Sequence, residues 1–174
     1  MAQTRLIRRG EDEGHILQVD TSFSTNRIYK VERNGLSFGL ELCEINPILR
    51  KDYGPVVDLD EFPFVMVAEE QTVICGFAAL RTEAWNNRTL LGHLFVTEKY
   101  RGLGIGRMLV QKGIDYARGS GSRCLWLETQ NINYPAIQFY QRLGFEWCGL
   151  DTELYDDTTD NVNEIALFFA KQIE

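Results

Sequence analysis

Arg101-Gly102-Leu103-Gly104-Ile105-Gly106 follows the apolar run Leu90 to Val96 and opens an amphipathic segment, Ile105 to Ala117. A strand that ends in a glycine-rich turn and feeds a helix is suited to cradle a pyrophosphate. Glycines let the backbone approach closely, and the unpaired N–H groups of the first helical turn, at the positive dipole end, point at an anion. Arg101 adds a fixed positive charge. The same hexapeptide also fits a plain tight turn, and only the downstream sequence separates the two readings.

That downstream sequence is Asn133-Tyr134-Pro135-Ala136-Ile137-Gln138-Phe139-Tyr140, followed by Leu143-Gly144-Phe145. Taken in this order, the two motifs resemble those of the GNAT family of N-acetyltransferases. Its acetyl-CoA site pairs an Arg/Gln-x-x-Gly-x-Gly/Ala turn with an Asn-x-x-Ala-x-x-Phe-Tyr helix that ends in Gly-Phe. Phe77 to Asn86, Leu125 to Gln130 and Cys148 to Tyr155 narrow the resemblance to streptothricin acetyltransferases, with Ser22 to Thr25 and Phe38 to Glu44 matching more loosely. The similarity spans roughly residues 20 to 156. It implies an α+β fold of the sandwich type, with a central mixed, mostly antiparallel sheet flanked by helices. It also implies acetyl-CoA as cosubstrate and no metal. The cofactor would be held by Leu94, Phe95 and Val96, by Arg101, Gly102, Leu103, Gly104, Ile105 and Gly106, and by Asn133, Ala136 and Tyr140.

A chain of 174 residues with 44% apolar and 25% charged content can bury one sizeable core, so a single N-acetyltransferase domain over residues 1–174 is expected. The start Met-Ala-Gln-Thr-Arg lacks an apolar signal-like run, and no apolar stretch reaches membrane-spanning length. The expectation is a cytoplasmic protein that does not engage a membrane. Cys43, Cys75, Cys124 and Cys148 have no close pairs or metal-ligand spacing and read as reduced core thiols. A net charge of −7 argues against a nucleic-acid partner, which needs clustered Lys and Arg. Asp58-Leu59-Asp60-Glu61, and Glu153 with Asp156, Asp157 and Asp160, read either as solvated loops or as a field that attracts a cationic substrate.

Alternation and spacing divide the chain further. Leu6 to Arg8 reads as a short strand and Glu11 to Val19 as a modest helix. Ile28 to Glu32, the turn Arg33-Asn34-Gly35 and Leu36 to Cys43 form a hairpin, and Asn46 to Pro63 reads as an exposed irregular connection. Phe64 to Ala68, Val73 to Thr82 and Thr89 to Val96 make an antiparallel meander. Arg123 to Leu127 is a strand, Asn133 to Leu143 a helix, and Phe145 to Leu150 and Glu164 to Phe169 are the last strands. If the terminal run Ile165 to Ala170 lies at an edge, a homodimer could pair through it.

Acetyl transfer to an amine needs a neutral nitrogen, a held thioester, a polarised carbonyl and a proton for the departing thiolate. A lysine-like amine with pKa ~10.4 is neutral only about one part in a few thousand at pH 7, a penalty of roughly 4–5 kcal/mol that a base relieves in part. In the resembling enzymes the strand before the glycine turn carries adjacent acids, typically Glu-Asp, where this chain has Gly92-His93. His93 is a sensible base at neutral pH; the plain alternative is a hydrogen-bonded structural histidine. Glu128 and Glu83 are rival carboxylates that could instead anchor loops or bind ammonium groups. A backbone amide near Phe95 is the family's usual donor to the thioester oxygen, and its family position makes Tyr140 the acid for the thiolate. Ala136, Phe139, Tyr140 and Leu143 also lie on one helix face and could be core; Asn133 could equally be an N-cap.

The sequence therefore points to acetylation of a primary amine on a small cationic molecule, with the β-lysine group of streptothricin-type antibiotics as the specific candidate. Acetylation of a protein N-terminus or lysine, and a non-catalytic acyl-CoA binder with an altered Gly92-His93 site, are the alternatives.

Overall fold

The computed structural model describes residues 2–156 and 163–173. Along the chain run β1 (Gln3–Leu6), α1 (Glu13–Ile16), β2 (Phe23–Asn34), β3 (Ser37–Lys51), β4 (Phe64–Glu70), β5 (Val73–Glu83), β6 (Arg88–Val96), α2 (Ile105–Gly119), β7 (Cys124–Gln130), α3 (Tyr134–Arg142), β8 (Glu146–Asp151) and β9 (Ala166–Gln172). Short 3-10 turns at Leu59–Glu61 and Glu98–Tyr100 precede β4 and follow β6. Strand pairing is mixed and mostly antiparallel. Asp157 and Asp160 of the second acidic segment lie outside the described residues. No helix among the described residues is long and apolar enough to cross a membrane. The backbone divides into two compact units: one runs up to Ser22, over Asp52–Leu127 and from Gln172, and the other comprises Phe23–Lys51 and Glu128–Lys171.

In the first unit the expected meander β4–β5–β6 forms, with β1 antiparallel to β4. Period-2 alternation gives it two apolar faces. Val65, Val67, Phe77 and Ala79 form one core with Ile16 and Val19 around α1 and with Leu59 and Phe62 of the segment before β4. Against the other face lies α2, which buries Leu109, Val110 and Ala117. Gly113 brings this helix close, since a Cβ there would stand 2.9 Å from Leu80 Cδ2, and Phe64 stacks on Tyr116 with ring centroids 4.1 Å apart. Each fully buried aliphatic or aromatic side chain of this kind contributes about 1.5–3 kcal/mol. The helix expected over Glu11 to Val19 is a single turn. Asp12 there accepts from Arg5 at 2.6 and 3.0 Å and from the Arg8 N–H at 2.7 Å, and α1 starts only after it.

The second unit contains the hairpin β2–β3, which is longer than alternation suggested. Residues Asn46 to Lys51, read as irregular, belong to β3. The register jumps from Thr25↔Leu49 to Arg27↔Glu44, and Pro47 falls in the looped-out stretch, where its missing N–H costs no ladder bond. Buried Asn131 joins this hairpin to the last strands. Its Nδ2 donates to the Tyr29 carbonyl at 2.9 Å, and its Oδ1 accepts from the Ile165 N–H at 2.8 Å. β9 has β7 on one side and antiparallel β8 on the other, so Ile165 to Ala170 is not an edge and the condition attached to dimer pairing is not met. The cysteine reading also needs correction. Cys75 and Cys124 are buried, but Cys43 on β3 is half-buried and Cys148 on β8 is exposed.

Candidate active site

β6 pairs with β5 along its length, from Glu83↔Arg88 to Gly76↔Val96. On its other side it pairs in parallel with β7 only over Arg88–Leu90 against Cys124–Trp126. From Leu91 to Val96 this second edge therefore carries no ladder among the described residues, and the backbone groups of Leu94, Phe95 and Val96 on that side can pair with an extended guest. The strand then runs into the glycine turn. Gly102 and Gly104 have φ of 78° and 84°, and Gly104 is the N-cap of α2, with no side-chain cap. Gly102, Leu103 and Gly104 are exposed, Gly106 is half-buried and Ile105 is buried under the helix start. An open strand edge followed by uncapped N–H groups fits an extended chain that ends in a phosphate. Arg101, expected as a charge for that phosphate, clamps the turn: its guanidinium donates to the Val96 carbonyl at 2.7 Å and the Ser22 carbonyl at 2.6 Å and stands 3.6 Å from Asp20.

A β-bulge falls where the family's acidic pair would be. Ala79 faces His93, the next pair is Leu80 with Leu91, and Gly92 is the unopposed residue. The bulge turns His93 toward the face that carries Phe62 and Phe77. The imidazole meets the Phe62 ring edge-on at 4.9 Å, lies 6.4 Å from Phe77 and stacks at 6.2 Å from Phe95. Its Nε2 is 3.0 Å from Asp58 Oδ1. Burial pushes the His93 pKa down, the attraction of Asp58 and Glu61 opposes this, and the net value lies below the ordinary one. The ring is therefore neutral at pH 7, as a base must be. Gly92 has no room for a side chain, since a Cβ there would come within 2.2 Å of Phe62 Cε1. Glu83, a rival carboxylate, is spent on Arg88 at 3.3 Å and on the indole N–H of Trp126 at 3.1 Å.

The other expected residues lie in the second unit. Asn133 caps α3, with its Oδ1 accepting from the Ala136 N–H at 3.2 Å. Ala136 is half-buried on the first turn. Tyr140 is only 8% exposed and packs edge-on against Phe139 at 5.3 Å and Phe145 at 5.7 Å. Glu128 accepts a hydrogen bond from the Tyr155 hydroxyl; burial and, secondarily, the charge of Glu164 raise its pKa against the lowering effect of that bond. Asp58, Phe62 and Tyr155 were not singled out as partners of His93 or Glu128. Their signal in the sequence is faint, because each reaches its partner from a distant segment. Among the described residues no cluster of three or more His, Cys, Asp or Glu could hold a metal ion.

The model of the acetyltransferase (GNAT) family matches residues 29–145. A streptothricin acetyltransferase of Streptomyces lavendulae is 37% identical over 177 aligned residues, which cover 95% of this chain and 92% of that protein. One from Escherichia coli is 26% identical, with 91% and 90% covered. The crystal structure of nourseothricin acetyltransferase superposes on 99% of both chains with a TM-score of 0.91 at 33% identity. A Bacillus anthracis protein, described provisionally as a streptothricin acetyltransferase and solved in complex with acetyl coenzyme A, gives a TM-score of 0.84 at 25% identity, again over 99% of each chain.

Proposed function

The chain belongs to the acetyltransferase (GNAT) family and is an acetyl-CoA-dependent N-acetyltransferase; we propose that its acceptor is a primary amine of a small cationic molecule, the β-lysine group of a streptothricin-type antibiotic. The observation that carries this reading is likeness over nearly the whole chain to a streptothricin acetyltransferase and to nourseothricin acetyltransferase. A net charge of −7 suits a cationic acceptor. We further propose one catalytic domain over residues 1–174, acting in the cytoplasm.

Bound acetyl-CoA supplies an activated acetyl group as a thioester. The unladdered edge of β6 at Leu94–Val96 takes up its extended arm by main-chain hydrogen bonds. The N–H groups of the turn Arg101–Gly106 and of the start of α2 hold its phosphates, with Arg101 fixing the turn's shape; Asn133 and Ala136 at the start of α3 contribute further cofactor contacts. The Phe95 amide donates to the thioester oxygen, and its bond strengthens as negative charge gathers there. His93 accepts a proton from the acceptor nitrogen as the new C–N bond forms. The Tyr140 hydroxyl would donate its proton to the sulfur as it leaves the carbonyl carbon. Glu128 remains the alternative base or an ammonium anchor, although its raised pKa makes it less often ionised than an ordinary carboxylate.

Mass spectrometry of streptothricin incubated with the purified protein and acetyl-CoA, beside spermidine and lysine-peptide controls, tests the acceptor. Mono-acetylated streptothricin at far higher kcat/KM than either control is the expected result. Preferred acetylation of the peptide would move the substrate class to proteins.

A further inference from the structure

We propose that Asp58 is a positioning residue of the reaction: it accepts the Nε2 proton of His93 and so holds the imidazole in the tautomer whose Nδ1 lone pair faces the acceptor amine. The inference rests on the reading of His93 as base and goes beyond it by naming what makes that histidine competent.

Four observations carry it. The Nε2 to Asp58 Oδ1 distance is 3.0 Å, a hydrogen bond by any geometric standard. The imidazole is confined by the rings of Phe62, Phe77 and Phe95, so one hydrogen bond is enough to choose its tautomer and rotamer. The strand itself cannot supply the carboxylate. Gly92 sits under Phe62, whose ring occupies the space of any side chain at that position, so a carboxylate must arrive from elsewhere. The segment that brings it is pinned in place. Arg9 donates to the Leu59 and Phe62 carbonyls at 3.1 and 2.9 Å and to Asp60 at 3.2 Å, and Arg81 pairs with Glu61 at 3.2 Å while lying over the Phe62 ring. Asp60 and Glu61 thus each have an arginine, and Asp58 is the acid of this run that meets His93. The charged groups around the imidazole are Asp58 and Glu61 from this segment, with Arg81 of β5 balancing Glu61.

The proton balance is simple. The amine proton passes to Nδ1 as the C–N bond forms, the imidazolium is stabilised by the Asp58 carboxylate, and Asp58 itself stays ionised. Without that carboxylate the ring is free to adopt the Nδ1–H tautomer, which has no lone pair to offer on that side, and its affinity for a proton falls.

The test uses Asp58→Asn, Asp58→Glu and His93→Gln in the intact protein. With only two histidines in the sequence, long-range 1H–15N spectra report the His93 tautomer directly, in the absence of any acceptor. Wild type is expected to show Nε2–H. Asp58→Asn is expected to increase the Nδ1–H form and move the His93 titration midpoint downward by roughly half a pH unit or more. Kinetics use whichever of streptothricin, spermidine and a lysine peptide is acetylated fastest. Asp58→Asn should lower kcat roughly 10–100-fold, a share of the 10²–10⁴-fold that a positioned base supplies. The KM for acetyl-CoA should stay unchanged, the acid limb of kcat/KM should move to lower pH, and Asp58→Glu should recover part of the loss. A wild-type tautomer, midpoint and pH profile in Asp58→Asn, while His93→Gln still loses activity, overturns the positioning role and leaves the base reading standing. Activity of His93→Gln within threefold of wild type removes the base reading, and the proposal with it.

Discussion

At the scale of single side chains, two aromatic residues bear on the proposed chemistry, one by its hydroxyl and one by its packing. Tyr140 is almost wholly buried between Phe139 and Phe145, so its ring packs as a core residue would, and only its hydroxyl distinguishes a catalytic role from a structural one. Tyr140→Phe keeps the ring contacts and removes the hydroxyl proposed as the acid. It is expected to lower kcat at least tenfold, within the usual range for a lost general acid, while the Kd for acetyl-CoA and the urea midpoint change little. A weakened Kd with unchanged kcat would make Tyr140 a binding residue instead. Phe62 shows why this scale was only half legible. Gly92 and His93 are plain departures from the family's Glu-Asp pair, yet nothing local says that a phenyl ring some thirty positions earlier fills the space above Gly92. Sequence spacing reports neighbours along the strand and is silent about contacts across the fold.

Elements were easier to read, and the reason is periodicity. The meander β4–β5–β6 and helix α2 announce themselves because each buries alternate or helically spaced apolar residues against one layer. The exceptions are informative. β3 continues past Pro47 because a register shift exempts that residue from the ladder, and such a shift leaves no compositional mark. The glycine turn was legible as a motif, but which glycines bear the conformational demand was not. Gly102 and Gly104 both bear it, and at Gly104, which starts the helix, φ is 84° and a Cβ would find open space, so the cost of a side chain there is purely one of backbone conformation. Gly104→Ala is therefore expected to destabilise the protein by about 1–2 kcal/mol, the left-handed penalty for an L-residue. It should also raise the KM for acetyl-CoA several-fold as the N–H groups of α2 turn away. Urea unfolding and initial rates measure the two effects. A stable variant with an unchanged KM would show that the turn does not need this conformation to hold its ligand.

Across the whole molecule, family and cofactor were readable because two motifs in order specify one backbone solution for holding acetyl-CoA. The pairings that tune the site were not, since Arg101 with Val96, Glu128 with Tyr155 and His93 with Asp58 each join segments that alternation treats separately. Those pairings also set how stability responds to acid. Asp12 has its pKa lowered from 3.8 to about 2, chiefly by its hydrogen bond from Arg5, so it stabilises the fold above pH ~4 and loses that contribution as pH falls toward 2. At 1.36 kcal/mol per unit the contribution is about 2 kcal/mol. His93 acts in the same direction at higher pH. Its folded pKa is depressed by burial, so below its unfolded value near 6.5 the unfolded chain takes up a proton that the folded protein resists, and unfolding becomes easier. These two groups therefore lower urea stability gently below pH ~7 and more steeply below pH ~4, where Asp20, whose pKa is also lowered, adds to the loss and Glu128, whose pKa is raised, opposes it. Asp12→Asn should lower stability at neutral pH and reduce the steep part, leaving the gentle decline. His93→Gln should do the converse. Variant curves that run parallel to the wild-type curve at every pH would mean that neither group differs in proton affinity between the folded and unfolded chain.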